Sequence, residues 1–344
     1  MAGSPAAAAA SSVPRGFKTA VVAMCFNDWA KLDAWVSHTR EYIDEVDLHI
    51  VVSAGPEPPF SAALRAAFPA SVILELEGNV GPCVAYNRGI QYALDHGAEC
   101  IALIGNDVRM EAHAVRLLFS CVRHTPEVGL AGPVLLKGGA APDVVEWAGG
   151  RIGWLRMSTR FLSAGATPES LPPGLIDVDF VPGGCNFARA DIYRRVGLQD
   201  ERLFMYGDEM DFDVRVTRAG YRVVVLGGAR AWHEHVETRP PDPVETSGPR
   251  SAWVLWLMRI GNVHADRRTP AWIVYLVNRN RILLARWHKS PLGFLVFAAV
   301  FLAQVPLSWV IWRASHGVKE AHAVLRAAFD GFRGVGGRPS ELGG

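Results

Sequence analysis

Short apolar runs alternate with helix-like segments through roughly the first hundred residues, and this alternation most restricts the folds open to the chain. The strand-like runs, rich in β-branched residues, are 17–25, 48–52, 72–76 and 99–104. Between them, residues 29–43 carry apolar side chains at helical spacing, and a second helix is predicted around 62–68. Strands and helices that alternate in this way predict an α/β fold with a mostly parallel central sheet.

Polar residues stand where the first and fourth of these runs end. Asn27 follows the first run, and Asn106 and Asp107 follow the fourth. In a doubly wound sheet, ligands bind at the carboxyl ends of the strands. Because Mg²⁺ and Mn²⁺ prefer oxygen ligands and need few protein carboxylates, Asp107 is predicted to hold a divalent cation against a diphosphate. The alternative is that Asp107 caps a helix predicted over 109–122, and one residue could do both.

A glycine turn opens the segment Asn79-Val-Gly-Pro-Cys-Val-Ala-Tyr-Asn87-Arg-Gly89. Gly81 allows the backbone to approach a ligand closely. A helix that begins at this glycine would point free N–H groups at a diphosphate. Asn79, Gly81 and Asn87 are therefore candidate nucleotide contacts, although most glycine turns of this kind only connect two elements.

Four carboxylates, those of Asp208, Glu209, Asp211 and Asp213, lie close together in the apolar stretch 181–235, and Arg215 closes the run. Carboxylates packed this densely between apolar residues are costly to bury unless they are paired, metal-bound or catalytic. The alternative is a solvated helix face, since Asp211 and Arg215 are four residues apart.

The order of these motifs over roughly 17–290 resembles an inverting glycosyltransferase of family 2, with the GT-A fold, nearest the bacterial rhamnosyltransferase-like group. The resemblance implies that Gly183 and Gly184 form a loop on the acceptor side and that Trp147, in a Glu-Trp-Ala-Gly-Gly turn, contacts substrate. That turn could equally be a plain hairpin corner. Asp211 and Arg215 match the substrate-side Asp-Leu-x-x-Arg pattern of the family.

The same resemblance implies a single displacement with inversion at the anomeric carbon. Aligned on Asp211 and Arg215, Glu209 takes the place of the general base, beside Asp208; a positioned base contributes roughly 10²–10⁴-fold. A Mg²⁺ or Mn²⁺ ion held by Asp107 and His233 would neutralise the leaving nucleoside diphosphate. His235 is the nearby competitor of the metal-binding histidine.

The chain departs from the family pattern in its acidic residues. The acidic pair reads Asp208-Glu209, where the family commonly has Glu-Asp, and Gly105 stands where the family has the first polar residue of its Asp-x-Asp-like signature. After the second strand the family has an acid that recognises the nucleobase, whereas this chain reads Val-Val-Ser-Ala-Gly. A backbone group or Ser53 is then expected to contact the base.

A run of 22 residues without a charge, 291–312, dominates the C-terminal region. A helix of that length measures about 33 Å, against a hydrocarbon core of roughly 30 Å. Basic residues flank both ends, so the segment is predicted either to span a membrane or to lie on it with an amphipathic helix over 316–332. A buried helix in a soluble core is the third possibility.

The domain prediction follows from these features. Residues 1–16 form an Ala/Ser-rich disordered tail without the basic start of a signal peptide. Residues 17–237 are the catalytic domain, 238–250 a proline-rich linker, and 251–344 a helical region, with further helices at 253–260 and 272–284.

Composition excludes one class and leaves two others open. A net charge of +1 disfavours a nucleic-acid-binding protein. The five cysteines form no Cys-x-x-Cys pair, which favours free thiols in a reducing compartment, and the predicted location is the cytoplasmic face of the membrane. The expected partners are a nucleotide-diphosphate sugar and a glycan or lipid-linked acceptor. The open alternatives are a non-catalytic sugar-binding scaffold of the same fold and a nucleotidyltransferase-like enzyme; residues 21–27 lack the glycine-rich, basic start of the latter.

Overall fold

A computed structural model describes residues 18–139, 143–181, 183–234 and 269–339. These residues divide into two compact units. The sheet unit contains the described chain up to Arg151, then Arg160–Gln199, and the residues from Glu209 to the end of the last strand. The helical unit contains Ile152–Thr159, Asp200–Asp208 and the described residues from 269 onward. The predicted tail, the linker and the helix over 253–260 lie outside the described residues.

The strands, in chain order, are β1 (Thr19–Cys25), β2 (Leu48–Ala54), β3 (Val72–Leu76), β4 (Cys100–Ile104), β5 (Val108–Met110), β6 (Val128–Lys137), β7 (Val145–Trp147), β8 (Gly150–Gly153), β9 (Ser158–Phe161), β10 (Leu175–Asp177), β11 (Cys185–Arg189) and β12 (Arg222–His233). The helices are α1 (Trp29–Arg40), α2 (Pro58–Ala67), α3 (Gly81–Asp95), α4 (Ala112–His124), α5 (Ala190–Val196), α6 (Asp208–Arg218), α7 (Ala271–His288), α8 (Pro291–Ser315) and α9 (Val318–Arg333).

The central sheet has the strand order β10-β12-β6-β11-β4-β1-β2-β3. Strands β4, β1, β2 and β3 are parallel neighbours, and β6 is parallel to β12. Strand β11 is antiparallel to both β4 and β6, which flank it. The predicted α/β class with a mostly parallel central sheet is confirmed.

Burial on both faces explains why the first strand reads as a continuous apolar run. Ala20 and Val22 pack in a cluster with Ile90 of α3, whereas Val21 faces the opposite side, in a cluster with Val115 of α4. Side chains alternate across a strand, so a parallel strand covered on both faces needs apolar residues at every position. The carboxyl ends of β1 and β4 are thereby fixed side by side.

Two predicted boundaries were wrong, and both errors concern the site. Residues Val108–Met110 form strand β5, which pairs with β12, and the next helix begins at Ala112 after Glu111 as its N-cap residue. Asp107 is therefore not a helix cap. Val108 and Met110 are buried on pairing with β12, and this tertiary contact outweighs the local helical pattern.

Residues 221–226 form a strand-like run in the sequence, and in the structure this run lies in β12, which continues to His233. Its register against β6 shifts between Leu226 and Arg230, where Gly227 and Gly228 lie. The glycines mark an irregularity within the strand and not its end, because the ladder resumes beyond them. His233 is thus the last residue of β12 and pairs with Val108.

The helical unit is built around α7, α8 and α9, as predicted for the C-terminal region. Helix α8 is long and apolar enough to cross a membrane by length and composition, with a mean hydropathy of 2.2 in its most apolar window. A stripe formed by Phe297, Phe301, Ser308 and Trp312 is buried, while Leu292 and Leu295 are exposed. The helix therefore has one packed face and one open apolar face.

Candidate functional site

Four charged side chains converge at the carboxyl end of β4. Asp107 Oδ2 lies 2.9 Å from Lys31 Nζ of α1 and 3.7 Å from His233 Nε2. The other ring nitrogen of His233, Nδ1, lies 3.2 Å from Oε2 of Glu146, at the middle of β7. Each of these side chains is about a quarter to a third exposed, so the cluster is reached by solvent.

The electrostatics of this cluster favour its charged forms. Burial raises the pKa of Asp107, but the contacts with His233 and Lys31 outweigh burial and hold that pKa well below its usual range. Burial lowers the pKa of His233, but the contacts with Asp107 and Glu146 outweigh it and raise the pKa to about 9. Both acids therefore stabilise positive charge at this place, whether it is carried by a proton or by a bound cation.

Asn106 and Asn27 extend the cluster along the edge of the sheet. Asn106 Nδ2 donates to Asp28 Oδ2 at 2.7 Å. Asn27 follows β1 in a left-handed conformation with φ of 48°, donates to the carbonyl oxygen of Gly55 and accepts from the backbone of Glu57. The ends of β1, β2 and β4 are thus tied together by these two asparagines. Ser53 is fully buried within β2, which disfavours its side chain as a contact with the nucleobase, and a contact through a backbone group stays a prediction.

The glycine turn before α3 lies where it was predicted. Gly81 opens α3 with φ of 80°, and its backbone N–H donates to Asn79 Oδ1 at 3.2 Å. Asn87 is buried within α3. Its side-chain amide donates to the carbonyl oxygen of Gln199 at 2.9 Å and accepts from the backbone N–H of Gln199 at 3.0 Å. The structure uses Asn87 to hold the chain after α5; a direct contact with nucleotide stays a prediction for all three residues.

The predicted acceptor loop, with Gly183 and Gly184, contacts both the chain beside Asp107 and helix α6, which carries the acidic run. The backbone N–H of Gly105, two residues before Asp107, donates to the carbonyl oxygen of Gly184 at 2.7 Å. A Cβ atom on Gly183 would lie 3.4 Å from Cβ and 3.7 Å from Oε2 of Glu209. The small side of this loop therefore faces Glu209, as the general-base assignment requires.

The acidic run divides its carboxylates between two faces of α6. Glu209 and Asp213, four residues apart, face the acceptor loop, where Asp213 Oδ2 accepts the backbone N–H of Val181 at 2.7 Å. Asp208 begins the helix and is buried, whereas Glu209 is half-buried. This contrast favours Glu209 over Asp208 as the carboxylate that meets an acceptor.

Asp211 and Arg215 form an internal ion pair on the other face of α6. Arg215 Nη2 lies 2.7 Å from Asp211 Oδ2, and the same guanidinium donates to the carbonyl oxygens of Val196 and Leu198 after α5. The structure therefore gives the pair a role in fixing α6 against α5. A direct contact between this pair and substrate stays a prediction.

Trp147 lies at the end of β7, beside the cluster. Its ring packs against that of Phe161 at 4.6 Å between centroids. The turn that follows is closed by backbone hydrogen bonds between Ala148 and Leu162 and between Gly149 and Leu162. Trp147 thus follows Glu146, the partner of His233, and a substrate contact stays a prediction.

Sequence reasoning missed the roles of Lys31, Glu146, Asp28 and Asp213. Lys31 is separated from Asp107 by 76 residues, and Glu146 from His233 by 87. A lysine in a helix and a glutamate in a short strand carry no local sign of such partners. Only Asp28 offered a signal, since it directly follows Asn27 at the end of a predicted strand.

Comparisons with known proteins show that the chain is similar in sequence to glycosyltransferases. The N-acetylglucosaminyl-diphospho-decaprenol L-rhamnosyltransferase of Mycobacterium tuberculosis is 32% identical over 75 residues, which are 22% of this chain and 24% of that protein. Galactofuranosyltransferase GlfT1 of Mycolicibacterium smegmatis is 27% identical over 191 residues, or 55% of this chain and 60% of the relative. The low-salt glycan biosynthesis hexosyltransferase Agl10 of Haloferax volcanii is 25% identical over 150 residues, or 42% and 46%. The chain thus spans between a quarter and three fifths of the curated relatives that it matches.

A solved structure shows the fold. GalNAc-T7 with UDP, GalNAc and Mn²⁺ aligns with a TM-score of 0.52 over 63% of this chain and 44% of that chain, at 13% identity. No family model matches the sequence. The chain is similar to glycosyltransferases in sequence and has a GT-A-like fold, so the predicted resemblance is confirmed, and family 2 is consistent with it.

The ion pair of α6 generates a stability prediction. Arg215→Ala leaves the buried Asp211 carboxylate without its nearest cation, so we expect the free energy of unfolding to fall by about 3–5 kcal/mol. Arg218→Ala, an exposed position on the same helix, should change it by less than about 0.5 kcal/mol. Urea denaturation followed by tryptophan fluorescence measures both. Equal effects of the two substitutions would show that the Asp211–Arg215 contact does not stabilise the fold.

Proposed function

We propose that the chain is an inverting glycosyltransferase that moves a sugar from a nucleoside-diphosphate donor to a hydroxyl group of a glycan or lipid-linked acceptor. One observation carries the proposal: a single loop contacts Glu209 through Gly183 and the chain beside Asp107 through Gly184. A base for the acceptor and a charge cluster for the diphosphate thus lie on either side of a loop of small residues. The curated relatives support sugar transfer in general.

In this proposal Glu209 accepts the proton of the acceptor hydroxyl as the oxygen forms its bond to the anomeric carbon. The bond between that carbon and the diphosphate oxygen breaks in the same displacement, and the anomeric configuration inverts. A carboxylate positioned in this way contributes roughly 10²–10⁴-fold to the rate. Glu209 lies in the first turn of α6, next to the loop of Gly183 and Gly184.

The residues at the end of β4 fit a divalent cation, Mg²⁺ or Mn²⁺. Asp107 and His233 offer a carboxylate oxygen and an imidazole nitrogen that are 3.7 Å apart, close enough for both to bind one ion. Glu146 contacts the far nitrogen of the same ring, and a carboxylate in that place typically orients a metal-binding histidine. Among the described residues no group of three His, Cys, Asp or Glu side chains forms a metal site, so the diphosphate and water would complete the coordination.

When bound, the cation would offset the charge that develops on the leaving diphosphate. Lys31 supplies a further positive charge from α1, 2.9 Å from Asp107 Oδ2. In the proposal, Asn27, Asn79, Gly81, Asn87 and Asn106 organise the nucleotide end of the site. The sugar remains to be identified, and rhamnose is the first donor to test because one curated relative is a rhamnosyltransferase.

The helical unit is proposed to hold the enzyme at the cytoplasmic face of the membrane. Helices α8 and α9 run side by side: the Phe301 and Phe332 rings lie 6.1 Å apart, Trp309 lies 6.4 Å from His322, and Trp312 packs with Ala321. If α8 crossed a bilayer, α9 would have to enter it too, with its charged residues Lys319, Glu320, Arg326, Asp330 and Arg333. Burying those charges is costly.

We therefore infer that α8 and α9 lie in the membrane interface. Leu292, Leu295 and Leu302 of α8 and Leu325 and Phe329 of α9 are all about half exposed or more. Two packed helices with open apolar faces and basic residues nearby suit an interfacial position. All five cysteines are free thiols, which agrees with the cytoplasm, where nucleotide sugars are made.

The base assignment is tested by isosteric substitution. Glu209→Gln keeps size but removes basicity, so transfer should fall by at least about 10²-fold while donor binding is retained. Asp208→Asn, the neighbouring buried carboxyl, should cost much less. Initial rates of nucleoside diphosphate release and donor titration calorimetry measure the two properties. A severe loss in Asp208→Asn with a mild one in Glu209→Gln would reverse the assignment.

The cation site is tested by metal binding and by activity. EDTA should abolish transfer, and Mn²⁺ or Mg²⁺ should restore it. Asp107→Asn should weaken Mn²⁺ binding in the presence of nucleoside diphosphate, followed by electron paramagnetic resonance, because it removes a charged oxygen ligand. Glu146→Gln, which leaves both proposed ligands in place, should weaken it by about 10–100-fold. Full transfer by Asp107→Asn in chelator would place the neutralising charge on Lys31 instead.

The membrane position is tested by flotation with vesicles that contain zwitterionic and anionic lipid. Each buried apolar side chain contributes roughly 1.5–3 kcal/mol, and each surface Lys or Arg only about 1 kcal/mol. The full chain should therefore float with vesicles even in high salt. Leu292→Glu with Leu295→Glu should release it, whereas Met at both positions should not. Flotation unaffected by the glutamates would show that this face of α8 does not contact lipid.

A further inference from the structure

Asn280, buried in α7, holds the segment of the helical unit that runs into α6. It is 1% exposed, and its Nδ2 lies within hydrogen-bond distance of three backbone carbonyl oxygens, those of Leu203 at 3.0 Å, Met205 at 2.9 Å and Tyr206 at 2.7 Å. A single amide group therefore contacts three carbonyl oxygens of one curled stretch of backbone, 203–207, which we call the curl.

Arg279 contacts the beginning of the same backbone segment. Its side chain is equally buried, and its Nη2 donates to the carbonyl oxygens of Arg202 and Leu203 at 3.2 and 3.0 Å. Its Nε donates to Asn280 Oδ1 at 3.0 Å, which fixes the orientation of the asparagine amide. The adjacent pair thus donates hydrogen bonds to the backbone carbonyl oxygens of four residues between 202 and 206.

The backbone held in this way has an unusual conformation. Phe204, Tyr206 and Gly207 all have positive φ, at 65°, 69° and 83°. Residues other than glycine rarely adopt a positive φ. Where they do, the contacts around them maintain the conformation, and such residues are common at functional sites. Asn280 and Arg279 hydrogen-bond the carbonyl oxygens of this stretch of backbone. Asp208, the first residue of α6, follows directly, and Glu209 comes next.

We propose that Arg279 and Asn280 are positioning residues for the general base: they fix the curl 203–207 and so set where α6 begins and where the Glu209 carboxylate stands. The proposal rests on the proposed function and deepens it. Neither side chain is assigned to substrate. A displacement of about 1 Å at a reacting group can cost on the order of 10²-fold in rate, so contacts that fix the start of the helix affect the rate of transfer.

The variant that isolates this role is Asn280→Ala, with Asn278→Ala as a matched control. Asn278 is on the same helix and is also buried, but its Nδ2 donates to the carbonyl oxygen of Val274 within α7. We expect Asn280→Ala to lower kcat for transfer by roughly 10–10²-fold, with KM for the donor within about twofold because the donor contacts are untouched. Asn278→Ala should leave both parameters near the wild-type values.

A double-mutant cycle separates positioning from a general loss of structure. If Asn280 acts through Glu209, Asn280→Ala should cost little further rate in a Glu209→Gln background, where the base is already absent. Losses that multiply in the double variant would overturn the proposal. So would equal losses of kcat in Asn280→Ala and Asn278→Ala.

Amide hydrogen exchange of the full-length protein measures how firmly the curl is held, and it does not depend on enzymatic activity. Peptides that cover 203–208 should exchange faster in Asn280→Ala and not in Asn278→Ala, and unchanged exchange in both would overturn the proposal. If Asn280→Ala does not fold, Arg279→Lys is the second variant to test. Lysine keeps the positive charge but lacks the guanidinium group that contacts the carbonyl oxygens of Arg202 and Leu203. A wild-type protein that transfers no sugar would refute the proposed function, and faster exchange would still establish the hold on the segment.

Discussion

The site depends on one antiparallel strand inside an otherwise parallel region of the sheet. Strand β11 runs against β4, with Cys185 opposite Ile104, so the start of β11 lies beside the end of β4. The loop that precedes β11 is therefore brought to the edge where Asp107 lies, and the Gly105–Gly184 hydrogen bond of 2.7 Å closes the contact. In an all-parallel order the chain entering a strand would lie at the opposite edge from the one leaving its neighbour. The reversal of a single strand joins the charged cluster around Asp107 to the loop of Gly183 and Gly184.

Much of the fold and part of the site could be predicted from the sequence because they are local. Strands buried on both faces leave long apolar runs, and residues at their carboxyl ends are found by counting, as Asn27, Asn106 and Asp107 were. Glu209 was assigned from the resemblance to family 2 glycosyltransferases, by alignment on Asp211 and Arg215. The contact with Gly183 agrees with that assignment, although the catalytic role itself stays a prediction.

The parts that could not be predicted depend on tertiary pairing. The helix predicted over 109–122 begins only at Ala112, because pairing with β12 makes Val108–Met110 a strand. The strand-like run over 221–226 continues past Gly227 and Gly228, because the ladder with β6 resumes beyond them and carries His233 to the site. Lys31 and Glu146 lie far in sequence from Asp107 and His233, and no spacing rule connects such positions. The sequence indicates where a strand ends but not which helix places a lysine against that end.

Two carboxylates of the acidic run are paired in the structure, which is one of the ways in which so dense a run can be buried. Asp213 accepts the Val181 backbone N–H, and Asp211 pairs with Arg215, which in turn binds two carbonyl oxygens after α5. These carboxylates hold α6 to the acceptor loop on one side and to α5 on the other, while Glu209 faces Gly183. Buried carboxylates are costly, and here their contacts fix a helix at both faces. If Glu209 acts as proposed, these contacts would keep its helix in place during the reaction. A dense run of acids can therefore fix the position of a helix through its contacts with neighbouring elements.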